Sequence, residues 1–127
     1  MTTLTDMRLL IGVVDDDASI LRSLHRLLGL AGFAVKTFGS GEELLASEHL
    51  HKIDCLVLDV HLVGLSGFQL QESLREAVVA TPIIFITAHD DGATRERARR
   101  AGAVEYLPKP FDEHALIAAI HKAVGRA

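Results

Sequence analysis

Two short apolar segments of the sequence each end in acidic residues. Asp15 and Asp16 follow the segment that ends at Val14, and Asp59 follows the segment that ends at Leu58. Clustered carboxylates repel one another and raise at least one pKa unless a cation lies among them. Mg²⁺ suits such a cluster because it binds a few carboxylates, keeps several waters and accepts a phosphate oxygen. If the fold brings these acids together, the sequence predicts a magnesium site.

A hydroxyl group and an ammonium group occur later in the sequence at comparable positions. Thr87 ends another apolar run, and Lys109 lies between Pro108 and Pro110, whose rings restrict the backbone around it. A phosphoryl group in transfer needs its charge neutralised more than it needs covalent help. An aspartate can accept that group as an aspartyl phosphate. These residue types together predict a site that receives a phosphoryl group.

The segments that must position these groups alternate between short apolar runs and helix-like stretches. Three runs are almost unbroken in aliphatic residues, which is typical of parallel strands buried on both faces. The second and fifth runs contain Lys36 and Glu105, so we expect them at the sheet edges. The pattern predicts an α/β fold: a single doubly wound, five-stranded parallel sheet in the order 2-1-3-4-5, with helices on both faces. The predicted strands are Leu9–Val14, Phe33–Phe38, Cys55–Leu58, Ile83–Thr87 and Val104–Leu107.

Apolar residues at helical spacing mark three of the intervening segments. Ser40, Ser66 and Asp112 can cap helices that start beside them, and a glycine follows each of three helical runs. The apolar stripes are Ile20, Leu21, Leu24, Leu27 and Leu28, then Leu70, Leu74 and Val78, and then Leu116, Ile117, Ile120 and Val124; the glycines are Gly32, Gly102 and Gly125.

Composition excludes several classes of protein. A chain of 127 residues with 49% hydrophobic residues and a net charge of −4 suits one globular domain rather than a disordered segment. The mildly acidic charge argues against direct nucleic-acid binding, which needs a basic patch. The single cysteine excludes an internal disulfide. Because no window is long and apolar enough for a bilayer, we expect no membrane contact and a cytoplasmic location.

Four motifs, in this order and at these strand ends, resemble the receiver domain of bacterial response regulators, the signalling proteins of two-component systems. The resemblance extends from Leu9 to Val124 and implies the flavodoxin-like strand order given above. It leads us to expect one receiver domain over residues 1–127, with no output domain. The motifs are Val13-Val14-Asp15-Asp16, Leu56-Val57-Leu58-Asp59, Ile86-Thr87-Ala88 and Tyr106-Leu107-Pro108-Lys109-Pro110-Phe111.

The resemblance implies a role for each acid. Asp59 would be the phosphoacceptor that attacks the phosphohistidine of a sensor histidine kinase or phosphotransfer protein. Asp16 and Asp59 would bind Mg²⁺ directly, together with the backbone carbonyl of His61. Asp15 would hold the metal through water.

The resemblance also implies a switch. Lys109 would pair with Asp59 and then with the phosphoryl oxygens. The peptide bond between Lys109 and Pro110 is expected to be cis. Thr87 would hydrogen-bond the phosphoryl group and move towards it, and Tyr106 would follow into the space that Thr87 leaves. The chain would then be a phosphoacceptor signalling domain, and not an enzyme beyond its own phosphoryl transfer and hydrolysis.

The loop after Asp59 departs from the family pattern because it lacks the usual Met-Pro pair. This departure keeps open a degenerate receiver that acts as a phosphorylation-independent interaction module. A phosphatase with an aspartyl intermediate is disfavoured, since His61 stands where such enzymes carry a second acid. His61 and His89 each lie two residues beyond a site residue, which suggests that their imidazoles tune hydrolysis near neutral pH.

The run from Arg95 to Arg100 is the only locally basic stretch. Its inward stripe would be Thr94, Ala98 and Ala101, and a helix that buries so little is expected to move easily. The resemblance places this helix on the surface that changes on phosphorylation. We therefore expect the arginines to contact a downstream protein target or a second receiver, including a possible homodimer through the 90–125 face.

Overall fold

The computed structural model describes residues 7–125, so both ends of the predicted domain, residues 1–6 and 126–127, lie outside the described part. Strands and helices alternate along it. They are β1 (Leu10–Val14), α1 (Ala18–Leu30), β2 (Ala34–Phe38), α2 (Gly41–Leu45), a short 3₁₀ turn (Leu50–Lys52), β3 (Cys55–Asp59), α3 (Gly67–Glu76), β4 (Ile83–Thr87), α4 (Gly92–Arg100), β5 (Glu105–Pro108) and α5 (Glu113–Ala123).

The five strands form one parallel sheet in the order β2-β1-β3-β4-β5, which confirms the predicted topology. Every residue of β3 and β4 is buried. The strands that carry Lys36 and Glu105 are the two edges, where charged side chains reach solvent. Because all strands run the same way, all their carboxyl ends lie at one edge of the sheet.

Two apolar layers hold the helices against the sheet. Successive residues of a strand point to opposite faces, so Leu56 and Leu58 belong to one layer and Val57 to the other. Helices α2, α3 and α4 cover the first face, and α1 and α5 cover the second. The core-facing residues of α1 and α5 that are fully buried are Leu24, Leu28, Leu116, Ala119 and Ile120.

The helix starts confirm the capping predictions. The Ser66 hydroxyl accepts a hydrogen bond from the Gln69 amide, and the Gln69 side chain accepts one from the Ser66 amide. Ser40 caps α2 through the Glu43 amide, and Asp112 caps α5. These bonds satisfy amides that the first helical turn leaves unpaired.

The second apolar stripe of the sequence, Leu70, Leu74 and Val78, was assigned one residue too many. Helix α3 ends at Glu76, so the expectation that Val78 lies on its buried face is wrong. Val78 has a positive φ of 58° and is 87% exposed. The residue follows the helix end in a left-handed turn, which points it away from the core.

Helix α4 buries little apolar surface against the rest of the fold, as its small inward-facing residues predict. Ala98 is the only one of its residues that is fully buried. Among residues 7–125, no helix combines the length and apolar character needed to cross a bilayer.

Gly67 is required by a close approach between α3 and the end of β3. A Cβ atom at this position would lie 2.5 Å from the backbone oxygen of Asp59, which cannot yield as a flexible side chain can. We expect G67A to lower the free energy of unfolding by about 1–3 kcal/mol, a typical cost of overpacking.

Urea denaturation followed by circular dichroism measures this change. G29A is the matched control, because a Cβ atom at Gly29 in α1 meets nothing within 4 Å. It should leave stability unchanged or raise it by up to about 1 kcal/mol through helix propensity. Equal stability of the two variants would contradict the steric explanation.

Candidate functional site

The three acids singled out in the sequence converge at the carboxyl edge of the sheet. Strands β1 and β3 are neighbours, and Val14 pairs with Leu58, so the residues that follow them lie side by side. Carboxylate oxygens of Asp15, Asp16 and Asp59 all lie within 4.8 Å of one another. Asp15 and Asp59 are buried, and Asp16 is exposed at the mouth of the cluster.

Lys109 closes the cluster from the far side of β4. Its Nζ lies 2.7 Å from Oδ2 of Asp15 and 3.2 Å from Oδ2 of Asp59. The Lys109 amide donates to the Thr87 carbonyl at 2.7 Å, and the peptide bond to Pro110 is cis, as expected. The ammonium group therefore bridges both buried acids, and its shorter contact is to Asp15 rather than to the expected Asp59.

Burial and ion pairing act against each other in this cluster. Desolvation is the largest influence on the pKa of Asp15 and raises it, as does the nearby Asp59 charge; the hydrogen bonds and charge of Lys109 and the Asp17 amide lower it, and the net result is a raised pKa. For Lys109, desolvation lowers the pKa, but the hydrogen bonds and charges of Asp15 and Asp59 together outweigh it and leave a raised pKa. The lysine stays protonated, while ionised Asp15 carries a net penalty.

Backbone amides hold each carboxylate in place. The Asp17 amide donates to Asp15 at 2.9 Å, the His61 amide to Asp59 at 3.0 Å, and the Val63 amide to Asp16 at 3.2 Å. The loop after β3 thus wraps around two of the acids although it lacks the proline usual in the family. These amides fix the carboxylates before any ligand arrives.

Thr87 ends β4, next to the strand that carries Asp59, and Tyr106 lies in the neighbouring strand β5. Thr87 is fully buried, and its Oγ1 accepts a hydrogen bond from the His89 amide at 3.0 Å. The Tyr106 ring is only 9% exposed, so it already occupies a buried position. Its hydroxyl is buried and makes no hydrogen bond among residues 7–125. Burial, and after it the neighbouring Asp90 carboxylate, raise the pKa of Tyr106.

The structure adds contacts that the sequence did not indicate. The Arg95 guanidinium carbon lies 4.8 Å from the centre of the Tyr106 ring, and the same side chain pairs with Asp90 at 2.8 Å. The rings of His61 and His89 meet edge to face, with centroids 5.2 Å apart. No spacing in the sequence relates these residues, because they come from separate loops and helices. The effect of the histidines on hydrolysis stays a prediction.

Comparison with known protein families shows which family carries this arrangement of residues. Residues 11–121 match the family model described as "Response regulator receiver domain". The chain belongs to this receiver domain family. Receiver domains in general interact with histidine kinases and bind Mg²⁺, and they are not enzymes of the ordinary kind. The hard oxygen donors of Asp15, Asp16 and Asp59 fit such an ion.

Relatives of the receiver domain are longer proteins. Nodulation protein W of Bradyrhizobium diazoefficiens is 45% identical over 90% of this chain and 50% of its own length. Response regulator protein TodT of Pseudomonas putida is 36% identical over 95% of this chain and 53% of its own length. The chain therefore spans about half the length of these curated relatives.

Solved receiver structures share the fold. The response regulator StyR superposes with a TM-score of 0.85 at 44% identity, over 93% of this chain and 60% of its own. A receiver protein from Burkholderia phymatum gives 0.81 at 42% identity, over 94% and 98% of the two chains. The BeF3-activated DrrB receiver domain gives 0.83 at 34% identity, over 94% and 100%.

The electrostatics of Asp15 predict a pH-dependent stability. Because its pKa is raised in the folded state, that state binds the proton more tightly than the unfolded chain does. The stability penalty from ionised Asp15 is fully present above its pKa in the folded state. It disappears as the pH falls towards the lower pKa of an aspartate in the unfolded chain. In metal-chelating buffer, D15N should unfold at higher urea than the unmodified chain at about pH 7, and this advantage should shrink towards about pH 4.5.

Urea midpoints across this pH range measure the effect. D17N is the control, because Asp17 is an exposed cap of α1 and asparagine caps helices equally well. A D15N advantage that is absent at neutral pH, or one that grows on acidification, would contradict the assignment of the penalty to Asp15.

Proposed function

We propose that the chain accepts a phosphoryl group on Asp59 from a sensor histidine kinase or phosphotransfer protein, with Mg²⁺ as cofactor, in the cytoplasm. The modification then changes the surface that the domain offers to a downstream protein. The observation that supports this most is the contact of the Asp59 carboxylate with Lys109 at 3.2 Å, inside a group of three convergent acids.

Asp59 is suited to be the acceptor. Its Oδ1 is held by the His61 amide, and its Oδ2 faces Lys109. In the proposed step, a carboxylate oxygen forms a bond to phosphorus while the phosphorus–nitrogen bond of the donor phosphohistidine breaks. The bonding electron pair leaves with the imidazole nitrogen. Lys109 then neutralises charge on the phosphoryl oxygens.

The proposed Mg²⁺ would be held by Asp16, Asp59 and the backbone carbonyl of His61, and Asp15 would act on it through water. When bound, Mg²⁺ supplies positive charge to the phosphoryl oxygens. Asp16 is the exposed member of the cluster, so it can exchange water for metal at low cost. Asp15 is tied to Lys109 and the Asp17 amide, and it orients the lysine beside Asp59.

Thr87 and Tyr106 are the proposed switch residues. The Thr87 hydroxyl accepts from the His89 amide, so its own hydrogen stays available to donate to a phosphoryl oxygen. The ring of Tyr106 is buried beside α4. We infer that phosphorylation shifts an equilibrium between inward and outward ring positions rather than creating a new state.

The proposed output surface is the 90–125 face, which includes α4, β5 and α5. Four arginines of α4 are exposed there, and two of them share Glu96 as their ion-pair partner. Their charge suits an acidic patch on a downstream protein or on a second copy of this chain. The arginines are Arg95, Arg97, Arg99 and Arg100.

Intact-mass spectrometry with acetyl phosphate and MgCl₂ tests the proposed function. We expect a mass increase of one phosphoryl group in the unmodified chain, none in D59N, and none after chelation of Mg²⁺. D54N is the matched control, since Asp54 immediately precedes β3 at the end opposite Asp59, and its carboxylate accepts a hydrogen bond from the Leu10 amide. It should gain the phosphoryl group normally.

A chain that stays unmodified with Mg²⁺ present would contradict the proposal and favour the phosphorylation-independent interaction module. An equal mass gain in D59N would also contradict it, because the acceptor would then be another residue.

A further inference from the structure

Helix α4 has an unusual means of attachment. Ala98 is its only buried residue, and two of its arginine side chains contact neighbouring elements. The Gln71 amide group on α3 donates to the carbonyl of Ala101 at 2.7 Å, at the end of the helix. A helix anchored in this way depends on a few specific contacts rather than on a broad apolar face.

Two arginines of α4 lie over aromatic rings of neighbouring elements. The Arg97 guanidinium carbon is 4.3 Å from the ring centre of Phe68 in α3, and that of Arg95 is 4.8 Å from the ring centre of Tyr106 in β5. Both distances are within the range at which a cation is attracted to the face of a ring. Arg97 therefore holds the helix to α3, while Arg95 contacts the proposed switch residue itself.

We propose that Arg95 is a positioning residue that keeps Tyr106 in its buried position. This inference rests on the proposed function in one respect, namely that Tyr106 is the switch. The guanidinium lies over the ring, and its removal uncovers that part of the ring without changing a residue of the phosphoacceptor cluster.

Asp90 fixes the orientation of Arg95. The Asp90 carboxylate lies 2.8 Å from the Arg95 Nη2, and the Arg95 side chain is 53% exposed. An exposed ion pair adds little stability by itself. Here it matters because it restricts the long arginine side chain to the conformation that lies over the ring.

The Tyr106 hydroxyl is buried near Asp90 and Asp91, but it makes no hydrogen bond of ordinary geometry among the described residues. Packing and the contact with Arg95 therefore carry most of the retention of the ring. Such a ring is easy to release. Loss of the arginine contact should lower the ratio of inward to outward ring about two- to fivefold, as expected for a partly exposed cation–π contact.

The chain itself provides the reporter for this test. Tyr106 is its only tyrosine and it has no tryptophan, so tyrosine fluorescence reports on this ring alone. The experiment measures acrylamide quenching of that fluorescence, and ring ¹³C shifts after tyrosine labelling, in the unmodified chain and in R95A. We expect stronger quenching in R95A, and ring shifts that move towards those of an exposed tyrosine.

Three further variants separate direct contact from general effects. R99A removes a charge from the same helix that, among residues 7–125, pairs with Glu96, and its fluorescence should be quenched like that of the unmodified chain. D90N should expose the ring in the same direction as R95A. R95K keeps the charge but not the planar guanidinium group, so its quenching should lie between that of the unmodified chain and that of R95A.

R97A provides the outcome that would overturn the inference. It loosens α4 from α3 without touching Tyr106, so quenching in R97A that equals R95A would assign the effect to helix packing. Unchanged quenching in R95A would overturn it directly. Circular dichroism confirms that each variant is folded.

A last measurement separates this inference from the proposed function. Beryllofluoride with Mg²⁺, added to R95A, should restore burial of the ring if Asp59 and Tyr106 are coupled. Failure to restore it would count against the proposed switch, while the role of Arg95 is decided by the unliganded variants.

Discussion

The rest of the site depends on one buried arrangement of charges, in which Lys109 lies between Asp15 and Asp59. Burying a lone carboxylate without a cation beside it costs a large free energy, because the charge leaves water. Lys109 supplies that cation at 2.7 Å and 3.2 Å. The arrangement requires β1, β3 and β5 to end at the same edge of the sheet, and the parallel order β2-β1-β3-β4-β5 meets that requirement.

Lys109 does not fully offset the cost of burying the ionised acids, and this shortfall matters for cation binding. Ionised Asp15 retains a net penalty after its bond to Lys109 and the Asp17 amide are counted. A site left with excess negative charge has affinity in reserve for a cation, since binding relieves the repulsion. Natural proteins commonly accept reduced stability where function needs such a site. The fully buried aliphatic strands β3 and β4 supply the rigid frame that makes this possible.

Helix α4 differs from the rigid strands β3 and β4, because it buries little apolar area. Its arginines contact Phe68 and Tyr106 instead of extending the core. Contacts of this kind are worth less than a buried aliphatic side chain, so they can be exchanged at low cost. The molecule thus joins a rigid cluster of charges at the sheet edge to a weakly held helix beside it, which is the combination that a signalling surface requires.

The sequence by itself determined the number and order of strands, because unbroken aliphatic runs and charged edge strands are local properties of the chain. It also identified the acids, Thr87 and Lys109, since each lies at the end of a recognisable strand. It misassigned Val78, whose left-handed turn follows from how α3 ends rather than from apolar spacing. Only the tertiary structure decided that Lys109 contacts Asp15 more closely than Asp59, and that Arg95 covers Tyr106. Those contacts depend on distances between side chains from separate elements, which no periodicity along the chain encodes.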